Sequence, residues 1–305
     1  MSRALVALVA LIAFAGLSGR AFAQCEIPPV PVVNIPGTAY YTDPTRSVRD
    51  EELFLQNREQ LRALDDYLIP VARMTDNYLK GDSAAGQCAL TWLTAWADGR
   101  ALLGEPTTAQ SRSQRRWSAS SMSLSALKAW DAASESQRAR MRDYFGRLVK
   151  SLEADAVVDR IRNNHLYWAG LAYGAIGTLN QNTALFDRAV GICRDAVASM
   201  TPQGSLPLED ARGTKAIDYN GFALFPLSVI SVMNQGRPGC TNAELRPLAN
   251  HILANRSQTT DKFLRWVPFM KMDVPLDSRV LFYSYGGGHL PLVAEHLPRI
   301  TSAAR

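Results

Sequence analysis

Histidine and cysteine are scarce: 305 residues carry four of each, and their spacing excludes several chemistries at once. Cys25, Cys88, Cys193 and Cys240 show neither the C-x-x-C nor the H-x-x-x-H clustering that gathers ligands round a metal, so no metal and no cofactor is expected. No G-x-S-x-G element occurs, which argues against an α/β-hydrolase. Tyr285-Gly286-Gly287-Gly288-His289 lacks the strand and helix that frame a phosphate loop, and His251 and His296 have no partner spacing and read as structural or surface residues. Period-two alternation is nearly missing and no repeat of fixed length recurs, which leaves neither a β-fold nor a regular helical-repeat array. Basic residues are scattered, densest at Arg115-Arg116-Trp117, too thin for a nucleic-acid face.

The chain opens on an export signal. MSRALVALVALIAFAGLSGRAFA sets Arg3 before an apolar run and ends in Ala21-Phe22-Ala23, an A-x-A cleavage pattern. Gly16 to Arg20 interrupt that run short of the ~20 apolar residues of a membrane span. Residues 1–23 are therefore expected to be a signal peptide, and 24–305 a single periplasmic or secreted domain, monomeric and free of the membrane. Cleavage removes Arg3 and Arg20 and no acid, so 33 basic against 28 acidic residues become 31 against 28. That mild surplus leaves an acidic substrate open. In an exported chain four cysteines imply two disulfides with three possible pairings. Cys25–Cys88 and Cys193–Cys240 are favoured because each joins neighbours in sequence.

Apolar residues fall at helical spacing from about Glu51 onward. Glu51 to Lys80 carries Leu53, Leu61, Leu64, Tyr67, Leu68 and Val71 on one face; CALTWLTAWADGRALLG puts Trp92 and Trp96 four apart and should stop at Gly104. SASSMSLSALKAWDAA, SQRARMRDYFGRLVKSL, NNHLYWAGLAYGAIGTL and TALFDRAVGICRDAVASM follow, then segments over 216–233 and 243–254. Pro226 should kink or end the former. Helices of ~15 residues joined by short polar breaks predict an all-α chain of antiparallel hairpins, a curved helical barrel or toroid. From about Leu264 the pattern weakens into an irregular closing segment.

Three polar concentrations stand out. Asn163-Asn164-His165 opens an otherwise apolar helix: Asn163 suits an N-cap, while Asn164 and His165 can grip a carboxylate and exchange a proton near neutral pH. Gly204 to Leu224 collects Glu209, Asp210, Arg212, Lys215, Asp218 and Tyr219 before a helix. These charges read equally as a solvated turn; Tyr219, a turn before Phe222, should point inward, where Arg212 would lower its pKa. Tyr40-Tyr41 lies in a proline-flanked loop, placed either to stack on sugar rings or to pack the N-terminal lead.

Taken together, Asn163-Asn164-His165-Leu166-Tyr167-Trp168 resembles the NNHSYW signature of the alginate lyase family, with Leu166 in place of serine. Gly204-x-Leu206-Pro207-x-Glu209, Arg212 and Tyr219 are similar to that family's G-x-L-P-x-E…R…Y segment, and Cys88 to Ala97 to its C-x-L-x-W-L-x-x-W-A helix. The resemblance implies an incomplete α/α toroid whose cleft takes an anionic polysaccharide and cuts it by β-elimination. It implies that Asn164, His165 and Arg212 neutralise the uronate carboxylate, with Tyr219 as proton donor and, for syn elimination, also base; for anti elimination His165 is the better base. Tyr40, Tyr41, Trp168 and Glu209 become substrate contacts, although Tyr167 and Trp168 also suit packing at the helix start. Tyr40-Tyr41, Asn220 and Gly287-Gly288-His289 depart from the family's Lys-Tyr pair, histidine and aspartate, and leave polymannuronate, polyglucuronate or another polyuronate as the substrate. A glycoside hydrolase, which would need a pair such as Glu209 and Asp218, and a non-catalytic polyuronate-binding protein are the competing readings.

Overall fold

The computed structural model describes residues 25–234 and 237–258. The signal segment, the closing segment with Gly287-Gly288-His289, and His296 lie outside the described residues.

Among the described residues ten α-helices follow one another: α1 Glu51–Gln60, α2 Arg62–Leu79, α3 Ser83–Asp98, α4 Ala109–Lys128, α5 Glu135–Asp159, α6 Asn164–Leu179, α7 Thr183–Ala198, α8 Pro207–Asp210, α9 Ala216–Met233 and α10 Asn242–Ala254. The polar breaks in the sequence are their caps. Asp50, Asp82, Thr108, Asn163 and Asn182 each accept a hydrogen bond from a first-turn backbone N–H, and Ser134 and Thr241 form full capping boxes with Gln137 and Glu244.

α2, α4, α6 and α9 pack in succession as an inner arc, with α3, α5, α7 and α10 behind them. The result is an incomplete α/α toroid of paired helices. Small residues make the inner arc possible. α4 is buried on nearly every face from Ser113 to Lys128, and several of its serines donate to main-chain carbonyls: Ser120 Oγ lies 3.0 Å from Arg116 O and 2.8 Å from Trp168 O of α6. A helix buried all round needs no amphipathic stripe, which is why its polar composition still sits at the centre. On α6, a Cβ added to Gly177 would lie 2.8 Å from the backbone N of Phe186, so α6 and α7 meet almost backbone to backbone.

The N-terminal lead is strapped along α3. The Trp92 and Trp96 indoles each donate at 2.8 Å to Glu26 O and Pro29 O, and Cys25 is bonded to Cys88; Tyr67 of α2 stacks on Trp96 with centroids 3.5 Å apart. Cys193 of α7 is bonded to Cys240, so both disulfides follow the expected pairing.

Several expectations are corrected. α3 stops at Asp98, because the Leu102 and Gly104 N–H groups donate to Val32 O and Val33 O of the lead instead of continuing the helix. α4 begins at Ala109 rather than Ser118. α9 runs through Pro226: α6, α7, α8 and α10 enclose it and hold it helical past the missing N–H. Arg115 and Arg116 are not surface charges. They are buried, Arg115 facing Asp155 at 3.5 Å and Arg116 paired with Asp159, which also accepts from Arg112 Nε at 2.6 Å.

Because Cys193–Cys240 closes a span of 47 residues, the Cys193→Ser/Cys240→Ser pair should lower the unfolding free energy by about 4 kcal/mol in denaturant titration. An unchanged midpoint would show that this crosslink constrains nothing.

Candidate active site

The N-terminus of α6 is built on a buried carboxylate. Asn163 caps the helix, its side chain accepting from His165 N and its carbonyl from Leu166 N and Tyr167 N, which leaves the Asn164 amide to find a partner outside the helix. Asn164 N donates to Glu209 Oε1 at 2.6 Å and Asn164 Nδ2 to Glu209 Oε2 at 2.9 Å; both residues are 0% exposed. Burial pushes the Glu209 carboxyl upward, while the two Asn164 bonds and Arg212 pull it back. The positive end of the α6 dipole also favours a negative group there. One hydrogen of the Asn164 amide is thus committed, and its Oδ1 has no hydrogen-bond partner.

Glu209 is held in place by the loop that carries it. Gly204 turns at φ +84, close against Pro247, a backbone that side-chain-bearing residues rarely adopt; Pro207 then starts α8. Leu206 N donates to Asn220 Oδ1 at 2.9 Å, Asn220 Nδ2 to Asp210 Oδ1 at 3.0 Å, and Ser205 Oγ to Asp210 Oδ2 at 2.5 Å. Asn220, which stands where the family pattern has a histidine, is fully buried and ties this loop to α9. The expectation that Glu209 contacts substrate is corrected on the same ground: its carboxylate is sealed against Asn164.

Arg212 emerges from this loop with Nε 3.8 Å from Glu209 Oε2 and its guanidinium carbon 4.7 Å from the Tyr219 ring centroid. The Tyr219 hydroxyl donates to Tyr41 Oη at 3.0 Å. A lowered Tyr219 pKa is not what results. Burial, followed by the Tyr41 hydroxyl, pushes this phenol well above its ordinary value, and the opposing Arg212 charge does not overcome them. Tyr219 is therefore a protonated O–H donor at neutral pH. His165 is displaced in the other direction: burial first, then Arg116, Arg46 and Arg212, hold it well below the ordinary imidazole value. Its ring stacks on Trp117 with centroids 5.9 Å apart, and its Nδ1 has no hydrogen-bond partner. It is a neutral proton acceptor.

Within the Tyr40-Tyr41 pair, Tyr41 holds the Tyr219 hydroxyl, whereas Tyr40 packs edge-on against Phe54 at 5.3 Å. Trp168 is 1% exposed between Phe222 and Phe225, each 5.1 Å away by centroid, so it is packing and cannot contact a solute. A cavity of 440 Å³ opens beside His165 and Arg212, with Arg46, Arg116, Arg160 and Arg162 also in its wall. Sequence reasoning missed those four arginines as part of the site. Arg116 was signalled by two adjacent charges in a helix rich in serine and alanine. Arg160 and Arg162, flanking the amide–histidine motif, were visible without their geometry.

Among the described residues no cluster of histidine, cysteine, aspartate and glutamate suited to a metal ion occurs. The arrangement combines uncharged and cationic donors for an anion with a neutral base and a protonated phenol.

A family model described as alginate lyase matches residues 37–236. A polysaccharide lyase of Stenotrophomonas maltophilia is 39% identical over 219 residues, 70% of this chain and 66% of that protein. An alginate lyase of Azotobacter vinelandii is 29% identical over 251 residues, covering 75% and 67%, so the chain spans at most about two-thirds of these relatives' length. Among solved structures, alginate lyase A1-III from Sphingomonas species A1 superposes with a TM-score of 0.67 at 20% identity, covering 87% of this chain and 86% of that one. A variant of that lyase complexed with a tetrasaccharide gives 0.71, covering 87% and 85%. At this identity the likeness establishes the fold.

Imidazole nitrogen shifts followed by NMR should show His165 still neutral as pH falls through the ordinary imidazole range, because its folded-state pKa is depressed. Titration of His165 at the value of an exposed histidine would contradict the buried, arginine-flanked site.

Proposed function

The chain belongs to the alginate lyase family, and from that we propose a polysaccharide lyase that cleaves 1,4-linked uronate polymers by β-elimination. Its products are oligosaccharides with a C4=C5 double bond. The observation that carries this reading is that His165 and Arg212 line one cavity, with Arg212 set against Tyr219 and against the Glu209 carboxylate that holds Asn164, His165 neutral and Tyr219 protonated.

The C5 proton of a uronate is weakly acidic until the charge on the adjoining carboxylate is neutralised. The Arg212 guanidinium in the cavity wall supplies that neutralisation, with Asn164 given the same part by the family likeness alone, each well-aimed donor contributing about 3 kcal/mol at the transition state. A base then takes the C5 proton, the electron pair forms C4=C5, and the C4–O bond breaks toward the leaving oxygen, which receives a proton. The protonation states divide this work: neutral His165 accepts, and the Tyr219 hydroxyl donates. Tyr219 can also act as base only after surrendering its proton, which its environment opposes. Tyr41, bonded to Tyr219, covers the site from the N-terminal loop and contacts the sugar there.

Polymannuronate or alginate is the substrate this family membership favours, with polyglucuronate an alternative. A monomeric protein exported to the periplasm by residues 1–23 fits the reading. A hydrolase would need two opposed carboxylates at the cavity. Glu209 is sealed against Asn164 and Asp218 lies 3.3 Å from Lys215, so neither is free to form that pair.

Purified protein incubated with polymannuronate, alginate and polyglucuronate should raise near-ultraviolet absorbance on at least one of them, and Tyr219→Phe should lower the rate by about 10² to 10⁴-fold. Reducing ends without the chromophore would instead mean a hydrolase, and binding without either a non-catalytic protein. Since a depressed His165 stays neutral below the ordinary imidazole pKa and a raised Tyr219 stays protonated above the ordinary phenol pKa, kcat/KM should hold a broad plateau between those two values. A narrow bell inside that range would contradict the assignment.

A further inference from the structure

We infer that Asp43 is a positioning residue for the elimination: its carboxylate shapes the N-terminal loop that sets Tyr41 against Tyr219, and so aims the proton that the leaving oxygen receives. The inference rests on the lyase reading above and deepens it by one residue.

The loop from Tyr40 to Asp50 is a short hairpin. Tyr41 pairs antiparallel with Arg49, Asp50 N donates to Tyr40 O at 2.8 Å, and Thr42 N donates to Val48 O at 3.1 Å. Its base is anchored on α1: Asp50 caps that helix, while Tyr40 and the Arg49 guanidinium both pack on Phe54. Its tip has no such packing, since Pro44, Thr45, Arg46 and Val48 are exposed. One side chain braces it instead. Asp43 Oδ1 accepts from Ser47 N at 2.8 Å and from Val48 N at 2.7 Å, and Oδ2 accepts from the Ser47 hydroxyl at 2.9 Å and from the Thr45 hydroxyl. Hydrogen bonds to an ionised acceptor are roughly twice as strong as neutral ones. The Thr45 hydroxyl first, with the Ser47 and Val48 N–H groups, holds the Asp43 carboxyl well below the ordinary carboxylate range, so the brace is charged at neutral pH.

The backbone shows what the brace works against. Arg46 N donates to Asp43 O at 3.1 Å, which closes the turn with Arg46 at φ 55, in the left-handed region where a side chain bearing a Cβ is strained. Ser47, which supplies two of the four donors, also lies against the loop of Arg212: a Cβ added to Gly213 would stand 3.9 Å from Ser47 Cβ. Asp43 thus seats the tip beside Arg212 and, through the Thr42–Val48 rung next to it, fixes Tyr41, whose Oη accepts from the Tyr219 hydroxyl at 3.0 Å. Of the groups that face Tyr219, Tyr41 and Tyr40 ride on this hairpin and Arg212 does not. Displacing the hairpin removes neighbours that raise the phenol and leaves the charge that lowers it.

Kinetics on the polyuronate that the intact protein cleaves fastest compare Asp43→Ala and Asp43→Asn, alone and combined with Tyr41→Phe. Asp43→Ala should lower kcat by about tenfold to a hundredfold, as misplacing a catalytic group does, and Asp43→Asn by less. Neither should add more than about threefold once Tyr41→Phe has removed the hydroxyl that Asp43 positions. The alkaline limb of the kcat profile should move toward the ordinary phenol pKa in Asp43→Ala. An unchanged kcat, an unmoved alkaline limb, or a loss that multiplies with that of Tyr41→Phe would each overturn the inference. A titration without substrate separates it from the lyase reading. With tyrosines isotope-labelled at Cζ and Tyr219 assigned through Tyr219→Phe, the Tyr219 resonance should titrate at lower pH in Asp43→Ala than in the intact protein. If no polyuronate is cleaved, the lyase reading falls and this titration alone decides whether Asp43 positions Tyr219. If unsaturated product forms while Tyr219 titrates unmoved, the lyase reading stands and the inference about Asp43 falls.

Discussion

The Glu209 carboxylate has no exposure to water and satisfies both of its oxygens on Asn164, one through the backbone N–H and one through the side-chain amide. A carboxylate desolvated this far is costly unless paired, and removing its partners would leave donors and acceptors stranded at about 1–3 kcal/mol each. What the arrangement gains is position. It fixes the start of α6 against the loop bearing Arg212, so that two groups far apart in sequence face one cavity. Hydrogen bonds from Ser205 and Asn220 to Asp210, and from Leu206 N to Asn220, hold the loop, and the loop holds the carboxylate.

The rest of the site follows from that clamp and from the charge around it. With α6 fixed, His165 is pressed against Trp117 under three arginines and stays neutral; with Arg212 fixed over it, Tyr219 lies buried against Tyr41 and stays protonated. The imidazole is thus neutral and the phenol protonated as the protein stands. The arc of inner helices supplies the rigidity. Serine, alanine and glycine on α4 and α6 let the backbones approach, and the Arg112–Arg116–Asp159 group locks α4 to the end of α5 just where the cavity opens.

Much of this could be read from the chain alone, and the reasons differ by residue. Helices were legible from apolar spacing and polar breaks, their starts less so: Asn163 was read as a cap, whereas Ser134, Asn182 and Thr241 were not, and the disulfides were legible because Cys25, Cys88, Cys193 and Cys240 allow a sequential pairing. Asn164, His165, Arg212 and Tyr219 were singled out through their family likeness; Glu209 links Asn164 to Arg212, Arg212 lies over Tyr219, and His165 and Arg212 line one cavity. Glu209 and Trp168 were misread because a polar or aromatic letter near a motif does not say which side of the wall it faces. The direction of the Tyr219 shift was misread for a related reason: proximity to Arg212 is visible as spacing, whereas desolvation depends on everything packed around the phenol. Arg160 and Arg162 were in view, yet their convergence with Arg46 depends on a loop more than a hundred residues away in sequence.

Glu209 acts through Asn164, and a double-mutant cycle on kcat/KM for polyuronate cleavage tests that dependence most directly. Asn164→Ala and Glu209→Gln should each slow elimination, and the double variant should be no slower than Asn164→Ala alone to within about threefold, since a clamp has nothing to hold once the amide is gone. Losses that multiply would show that Glu209 contributes independently, and that the buried pair is not what positions the site.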